Sequence, residues 1–518
     1  MEKKLKKRFT SQAVFVIMMQ GRLGNLMFDY ALLLSLRAKY PMHKGYLYRD
    51  KNAPGTTGYI HELKDVFTPT SSANISYISS SDFASEELMA DIRSLPQSCI
   101  CYVWETDFAC RTSINLDNAM VTICVGYWQT ETSFNNVKSE VRKAFSFNCD
   151  ILNEQTRVLA EQLRPEEAIA LHVRRGDYFI PANIRMYGGI CTIDYYQKAL
   201  ATIYKHVGNK LPVYCFSDDP DWVRSELYLE NGVVVDWNNG DESWQDMYLM
   251  SLCHHNIIAN STFSWWGAWL NANEDKIVVA PYRCFNTMLT PEIHPDEWFT
   301  IYPKGYVEND FIRKLEKNRI SLERNGLFYG KMGVAVFLFH YASVYQDEFY
   351  ENIAMNLIST VFSQINMQTS IDYADGLSGI GCAIEYLYQN DFVEGDIDEI
   401  LSDFDLLFDD ILSNSRRKKD LYENLLGLIR YYRFRLSGKN IDLENERTKK
   451  NQLNLSYLLN LLENSACNEN DVLQRMAKVT EKRISVVEFG ETSGLMGMAG
   501  KELVRLSPDS KINWVELL

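Results

Sequence analysis

The stretch Ala168-Ile169-Ala170-Leu171-His172-Val173-Arg174-Arg175-Gly176-Asp177-Tyr178 runs from an apolar tetrapeptide straight into a charged turn. A short apolar run reads as a strand buried on both faces, and functional groups gather where such strands end. Alternation along extended backbone puts His172 and Arg174 on one face and Arg175 on the other, while Gly176 permits a sharp bend. An arginine fork donates paired, charge-assisted hydrogen bonds, so Arg174 and Arg175 are candidate diphosphate ligands that need no metal. The competing reading is a structural ion pair between Arg175 and Asp177.

Other short β-branched or aromatic runs, at residues 213–216, 232–236, 257–259 and 276–280, alternate with helical-period segments. Strands interleaved with helices predict an α/β fold with parallel sheets covered on both faces. Two such units, residues 11–147 and 165–303, would face each other across a ligand cleft. Nine of ten tryptophans and twelve of thirteen prolines lie before residue 304, which marks a domain boundary near there. Beyond it, a region almost free of proline can run as long helices, with the charged residues 308–324 as a helical joint.

The whole chain of 518 residues has 46% hydrophobic content and a net charge of -15, which argues against a nucleic-acid partner. Eleven cysteines, an odd total without a short framework, point to a reducing compartment. The apolar run 13–19 after a basic N-terminus is too short to span a bilayer and reads as a first strand. A cytoplasmic protein is expected, with peripheral contact at the inner membrane the one membrane association left open.

Four more segments could carry chemistry. Gly21-Arg22-Leu23-Gly24-Asn25 follows the first strand and opens a helix, so its amides can receive an anion or a sugar hydroxyl; a purely geometric turn is the alternative. Phe216-Ser217-Asp218-Asp219-Pro220-Asp221 ends a strand, and its aspartates read as a helix cap in preference to a cation site. Residues 246–255 read as a helix and 256–259 as a strand. Asn260-Ser261-Thr262-Phe263-Ser264 then forms a hydroxyl-rich helix start suited to phosphate, with Trp265, Trp266 and Trp269 as core. His254 and His255 lack sequence companions for zinc.

In this order the segments resemble the α-1,2-fucosyltransferases of glycosyltransferase family eleven over residues 12–303, together with Gly126-Tyr127-Trp128-Gln129 before Phe134. The resemblance implies a GT-B pair of Rossmann-like halves, residues 1–160 on the acceptor side and 161–306 on the donor side. It also implies GDP-β-L-fucose as donor, a galactose-terminated acceptor, inversion to an α-1,2 linkage, and neither cofactor nor metal. By similarity Arg174 contacts the diphosphate, aided by Arg175, Ser217 and Asp218. Asn260, Ser261, Thr262 and Ser264 hold the nucleotide, and Gly24 and Asn25 line the opposite wall. Inversion needs a base, for which Asp177 ranks ahead of His172. The family's glutamine after Gly-Asn is Leu26 here.

Glycine clusters recur at Gly326-Leu327-Phe328-Tyr329-Gly330, Gly376-Leu377-Ser378-Gly379, Gly427-Leu428 and Gly494-Leu495, the first three near fifty residues apart. They suggest stacked helix pairs and resemble lanthionine synthetase C-like α/α toroids. Those cyclases hold zinc with two cysteines and a histidine, whereas residues 319–518 contain only Cys382, Cys467 and His340. An all-α domain without cyclase activity over residues 307–518 is expected, with a peptide or protein as its partner. Two rival readings stand: a transferase for another nucleotide sugar, and a helical scaffold whose transferase half has lapsed.

Overall fold

The structure, a computed structural model, describes residues 13–50, 60–67, 78–105, 114, 116, 120–229, 232–288, 293–302, 309–316, 322–366, 368–437, 441–464 and 494–495, with Ala499, Leu503 and Leu517. The chain divides into two compact units, Met1–Val307 and Glu308–Leu518.

In the first unit, apolar runs become the strands of two sheets. β1 (Val14–Met18), β2 (Lys44–Tyr48), β3 (Ile100–Trp104) and β4 (Val121–Val125) form a parallel sheet in the order β2-β1-β4-β3. β5 (Ile169–Val173), β6 (Val213–Ser217), β7 (Gly232–Val235), β8 (His255–Ile257), β9 (Val278–Pro281) and β10 (Phe299–Ile301) form a second, in the order β10-β9-β8-β5-β6-β7. Every ladder in both is parallel, which agrees with the near-continuous burial of β1, β4 and β5. This is the expected GT-B-like pair of Rossmann-like halves.

Strand order decides where a ligand goes. In the second sheet the chain winds from β5 through β6 to β7, then returns to lay β8 on the other side of β5. In the first it leaves β1 for β2 and later fills in β4 on β1's opposite edge. Connections part at such a switch point and open a crevice beyond the carboxyl ends of the strands. The two crevices lie beyond β1/β4 and β5/β8.

Three helices shape them. α1 (Leu23–Lys39) follows β1, α2 (Trp244–Leu252) precedes β8, and α3 (Thr262–Leu270) follows it. The helix expected through residue 255 stops at Leu252, because His255 pairs with Ile169 in the β5 ladder. Sheet pairing outweighs local helical character there. Trp265, Trp266 and Trp269 are buried beside Phe28 and Phe134, with Phe28 4.7 Å from Trp265 and 4.8 Å from Trp266. They are core, as the sequence suggested.

The second unit is helical. α4 (Lys331–Tyr345) and α5 (Glu348–Gln364) form a pair, followed by α6 (Leu377–Gln389), α7 (Ser402–Ser413), α8 (Leu425–Arg435) and α9 (Glu446–Asn464). α4 and α6 are buried nearly all round, while α5 and α7 bury one stripe, so inner and outer helices alternate. Each inner helix starts at a glycine cluster. A Cβ on Gly379 would lie 1.9 Å from the Tyr373 carbonyl, and one on Gly333 would lie 2.1 Å from that of Leu327. Leu495 N–H donates to the Leu327 carbonyl, and Phe328 N–H to that of Ala374. Backbone therefore closes on backbone where the clusters meet. Of the proposed joint, residues 310–316 are helical and 317–321 lie outside the described residues.

Candidate active site

The carboxyl ends of β1/β4 and β5/β8 open on one cavity of about 1420 Å³. Single small-molecule sites usually occupy about 300–1,000 Å³, so this one has room for a donor and an acceptor together. His172, Arg174, Asp177, Ser217, Asp218, Asn260, Ser261 and Thr262 line it from the second half, and Gly24 and Asn25 from the first.

Arg174 lies at the centre. Its Nη2 donates to Asp177 Oδ1 at 2.6 Å, and its Nη1 is 3.0 Å from Asp218 Oδ2. Arg22, from the other half, stands 3.4 Å from Asp177 Oδ2. Two guanidiniums and two carboxylates thus converge. The ion pair weighed for Arg175 and Asp177 belongs to Arg174 instead. Arg175 leaves the cavity, as alternation requires: its Nε donates to Asp219 at 3.0 Å, and its guanidinium lies 4.2 Å from the ring centres of both Phe179 and Trp222. Arg175, expected at the donor, is held by these partners and is not among the residues that line the cavity. Asp219 also accepts from Trp222 N–H as the cap of the helix at Pro220–Glu226, as the sequence indicated.

His172 is 5% exposed, and burial, helped by Arg174, pushes its imidazole down to about 3. The ring stays neutral across the physiological range and is a poor proton acceptor.

Two helix N-termini meet on the cavity floor. A Cβ on Gly24 would fall 2.7 Å from Thr262 Oγ1 and 2.8 Å from the Thr262 backbone carbon, so only glycine lets α1 and α3 approach so closely. Asn25 Oδ1 accepts from Thr262 Oγ1 and from Gln129 Nε2, both at 2.9 Å, and Trp266 Nε1 donates to the Gly24 carbonyl at 2.8 Å. The N-terminal turns of two helices therefore line the same cavity as Arg174, where they favour an anion. Ser264 is fully buried and holds the turn, receiving Ala259 N–H and donating to the Ser261 carbonyl. Ser264, expected at the nucleotide, is not among the residues that line the cavity. Leu26, where the family has glutamine, sits wholly in the core.

Sequence reasoning missed Asp246. It lines the cavity beside Asn238 and Gln245, accepts from Asn238 Nδ2 at 2.7 Å, and burial pushes its carboxyl up to about 7. Its position at a helix start looks like ordinary capping, and the signal that separates the two is burial.

Residues 106–302 match the model of glycosyl transferase family 11. The chain carries a family 11 glycosyltransferase domain. Residues 321–492 match the lanthionine synthetase C-like proteins, so the transferase is followed by a region of that family. The O-antigen biosynthesis glycosyltransferase WbnK of Escherichia coli is 36% identical over 182 residues, covering 34% of this chain and 59% of WbnK. An α-1,2-colitosyltransferase of Escherichia coli is 27% identical over 309 residues, covering 56% of this chain and 99% of that protein. The galactoside α-(1,2)-fucosyltransferase 1 of Ateles belzebuth is 28% identical over 160 residues, covering 29% of this chain and 43% of the relative.

Outside the transferase cavity, Glu167 joins His254 and His255 in one cluster, a companion that the sequence did not reveal. Ile277 N–H donates to His255 Nδ1 at 3.0 Å, which leaves the ring proton on Nε2, 3.7 Å from Glu167. That tautomer offers a proton, not a lone pair, so the chemistry disfavours a metal. In the helical unit His340 pairs with the Tyr386 hydroxyl at 2.9 Å, and Cys382 is fully buried. Cys467 lies outside the described residues, and the two described side chains do not make up the zinc set of the cyclases. No described helix is long and apolar enough to cross a membrane.

Proposed function

We propose that the family 11 domain transfers L-fucose from GDP-β-L-fucose to the 2-hydroxyl of a galactoside with inversion. The observation that carries this reading is one cavity lined by Arg174 and by two helix N-termini that meet, a set of groups suited to neutralise a leaving diphosphate without a metal. Asp246 supports a guanine base: when ionised, its two oxygens can accept together from N1–H and the 2-amino group. The names of the relatives above, fucosyl and colitosyl transferases, support the sugar class.

In this mechanism the diphosphate takes the Arg174 fork and releases Asp177 from its 2.6 Å contact. Asp177 then accepts the proton of the acceptor hydroxyl as that oxygen attacks the anomeric carbon opposite the departing GDP. The carboxylate also stabilises the positive charge that develops on the sugar ring.

The test incubates the protein with GDP-fucose and a panel of galactose-terminated acceptors and locates the new linkage. An α-1,2 product is expected; no transfer to any acceptor overturns the reading. A second reading has the colitosyltransferase match in its favour, since that relative aligns over 99% of its length. Competition between GDP-fucose and GDP-colitose separates the two. For the helical region we propose a peptide-binding role without cyclase chemistry, tested by whether residues 1–306 alone transfer fucose as fast as the full chain.

A further inference from the structure

The transferase cavity is acidic, and cations in it are scarce. Among the described residues its lining carries six carboxylates but only two guanidinium or ammonium groups, Arg22 from the first half and Arg174 from the second. Burial keeps the two lining histidines, His172 and His294, neutral. A sugar nucleotide brings a negative charge on each phosphate of its diphosphate. Arg174 alone does not meet that charge, because it is shared between Asp177 and Asp218, at 2.6 and 3.0 Å.

A fixed turn carries Arg22 to this space. Gly21 before it has φ 78°, and the Gly21 carbonyl accepts from Nη2 of buried Arg49 at 3.0 Å. The Arg22 carbonyl accepts from the Asn25 and Leu26 amides at 2.8 and 3.0 Å, the first bonds of α1. The backbone is therefore set, while the side chain, 60% exposed and making no capping bond, can swing. Its 3.4 Å approach to Asp177 Oδ2 is the long, solvated kind of ion pair that a better anion displaces at little cost. Asp177 bridges the two arginines, with Oδ1 on Arg174 and Oδ2 on Arg22. Two phosphate oxygens are spaced much as the two oxygens of a carboxylate are, so an anion that takes the place of Asp177 meets both guanidiniums at once.

We propose that Arg22 is a second ligand of the donor diphosphate, supplied by the first half of the transferase, and that the diphosphate draws Arg22 and Arg174 together off Asp177. This deepens the fucosyltransferase reading and rests on it. Loss of Arg174 alone would leave Asp177 paired with a cation and weakened as a base. Loss of both frees the carboxylate, and only once the donor is seated, which couples donor binding to the proton acceptor that the acceptor hydroxyl needs.

The experiment measures GDP affinity of the full chain by calorimetry, beside the saturation-transfer NMR signal of guanosine, which lacks the phosphates. Arg22→Ala is expected to weaken GDP by roughly tenfold or more while the guanosine signal holds within about twofold. Arg22→Lys, which keeps the charge but not the fork, is expected to recover part of the loss. An arginine that only holds Asp177 in place gives the opposite result, since its removal leaves GDP affinity as it was or raises it. Either outcome in Arg22→Ala overturns the proposal, as does a loss shared equally by GDP and guanosine. The two readings fail separately. A wild type that binds GDP, loses it in Arg22→Ala and transfers no fucose keeps the arginine pair and fails the sugar. Unchanged GDP affinity in Arg22→Ala, beside fucose transfer by the wild type, fails the pair alone.

Discussion

Both units start helices at glycines packed against neighbouring backbone, but what lies in front of those starts differs. In the transferase, Gly24 brings α1 against the start of α3, and arginines and aspartates from the flanking turns keep the space in front of both helices open and charged. In the helical unit, Gly379 and Gly333 bring backbone to within 1.9 and 2.1 Å of where a Cβ would be, and carbonyls and amides of neighbouring loops fill that space. A glycine at a helix start therefore reports close approach. Whether a ligand binds there depends on the side chains around it.

The comparison is broken most forcefully in the buried charges of the helical unit. Arg435 is 2% exposed in its side chain and bonds Glu385 at 2.9 Å and Asp405 at 3.1 Å, with Asp398 as a further partner. Arg435→Ala takes the guanidinium from buried Glu385, which keeps only Gln389, and leaves Asp405 to Arg447 and Tyr431; it is expected to destabilise that unit by about 3–5 kcal/mol in chemical denaturation, with fucosyl transfer retained. If transfer is lost as well, the units are not separate in function.

Arg174→Ala makes the reverse cut. Transfer is expected to fall about 100- to 1,000-fold while the unfolding midpoint holds, as for loss of one donor to a developing anion. Full activity in this variant would remove Arg174 from the chemistry. A matched pair comes next: Gly24→Ala and Gly379→Ala each face rigid backbone and should each cost about 1–3 kcal/mol. Only Gly24→Ala should also weaken GDP binding, read by calorimetry on both variants.

The smallest effect concerns pH. Burial pushes the folded-state carboxyl of Asp246 from the usual aspartate value near 4 up to about 7, so the folded chain binds more protons than the unfolded chain between those values. This group's contribution to stability is therefore present at low pH and is lost as pH rises from about 4 to about 7. GDP binding should run the opposite way, tightening several-fold from pH 6 to pH 8 as the carboxylate forms. Asp246→Asn should flatten both slopes; a wild type with pH-independent GDP affinity removes Asp246 from base recognition.

The strands β1 and β5 to β9 were legible because buried parallel strands are written as short apolar runs, and alternation separated Arg174 from Arg175. Three features were not. The bond between Asn25 and Thr262 spans 237 positions, and nothing local encodes it. Asp177 ranks ahead of His172 on sequence, but the burial that lowers His172 to about 3 is not written in its neighbours. Asp246 and Tyr127 sit in segments whose letters fit a cap and a turn, and only the fold turns them toward a cavity.

The tie at Asn25 also limits how the transferase can breathe. Thr262 and Gln129 both donate to one oxygen, and Trp266 holds the adjacent carbonyl, so the two halves are riveted at the base of the cleft. Ligand entry and release must then come from movement at the rim, where turnover would be gated. On the timescale of hydrogen exchange, the amides opening α1 and α3 should be protected together and released together, as one cooperative unit.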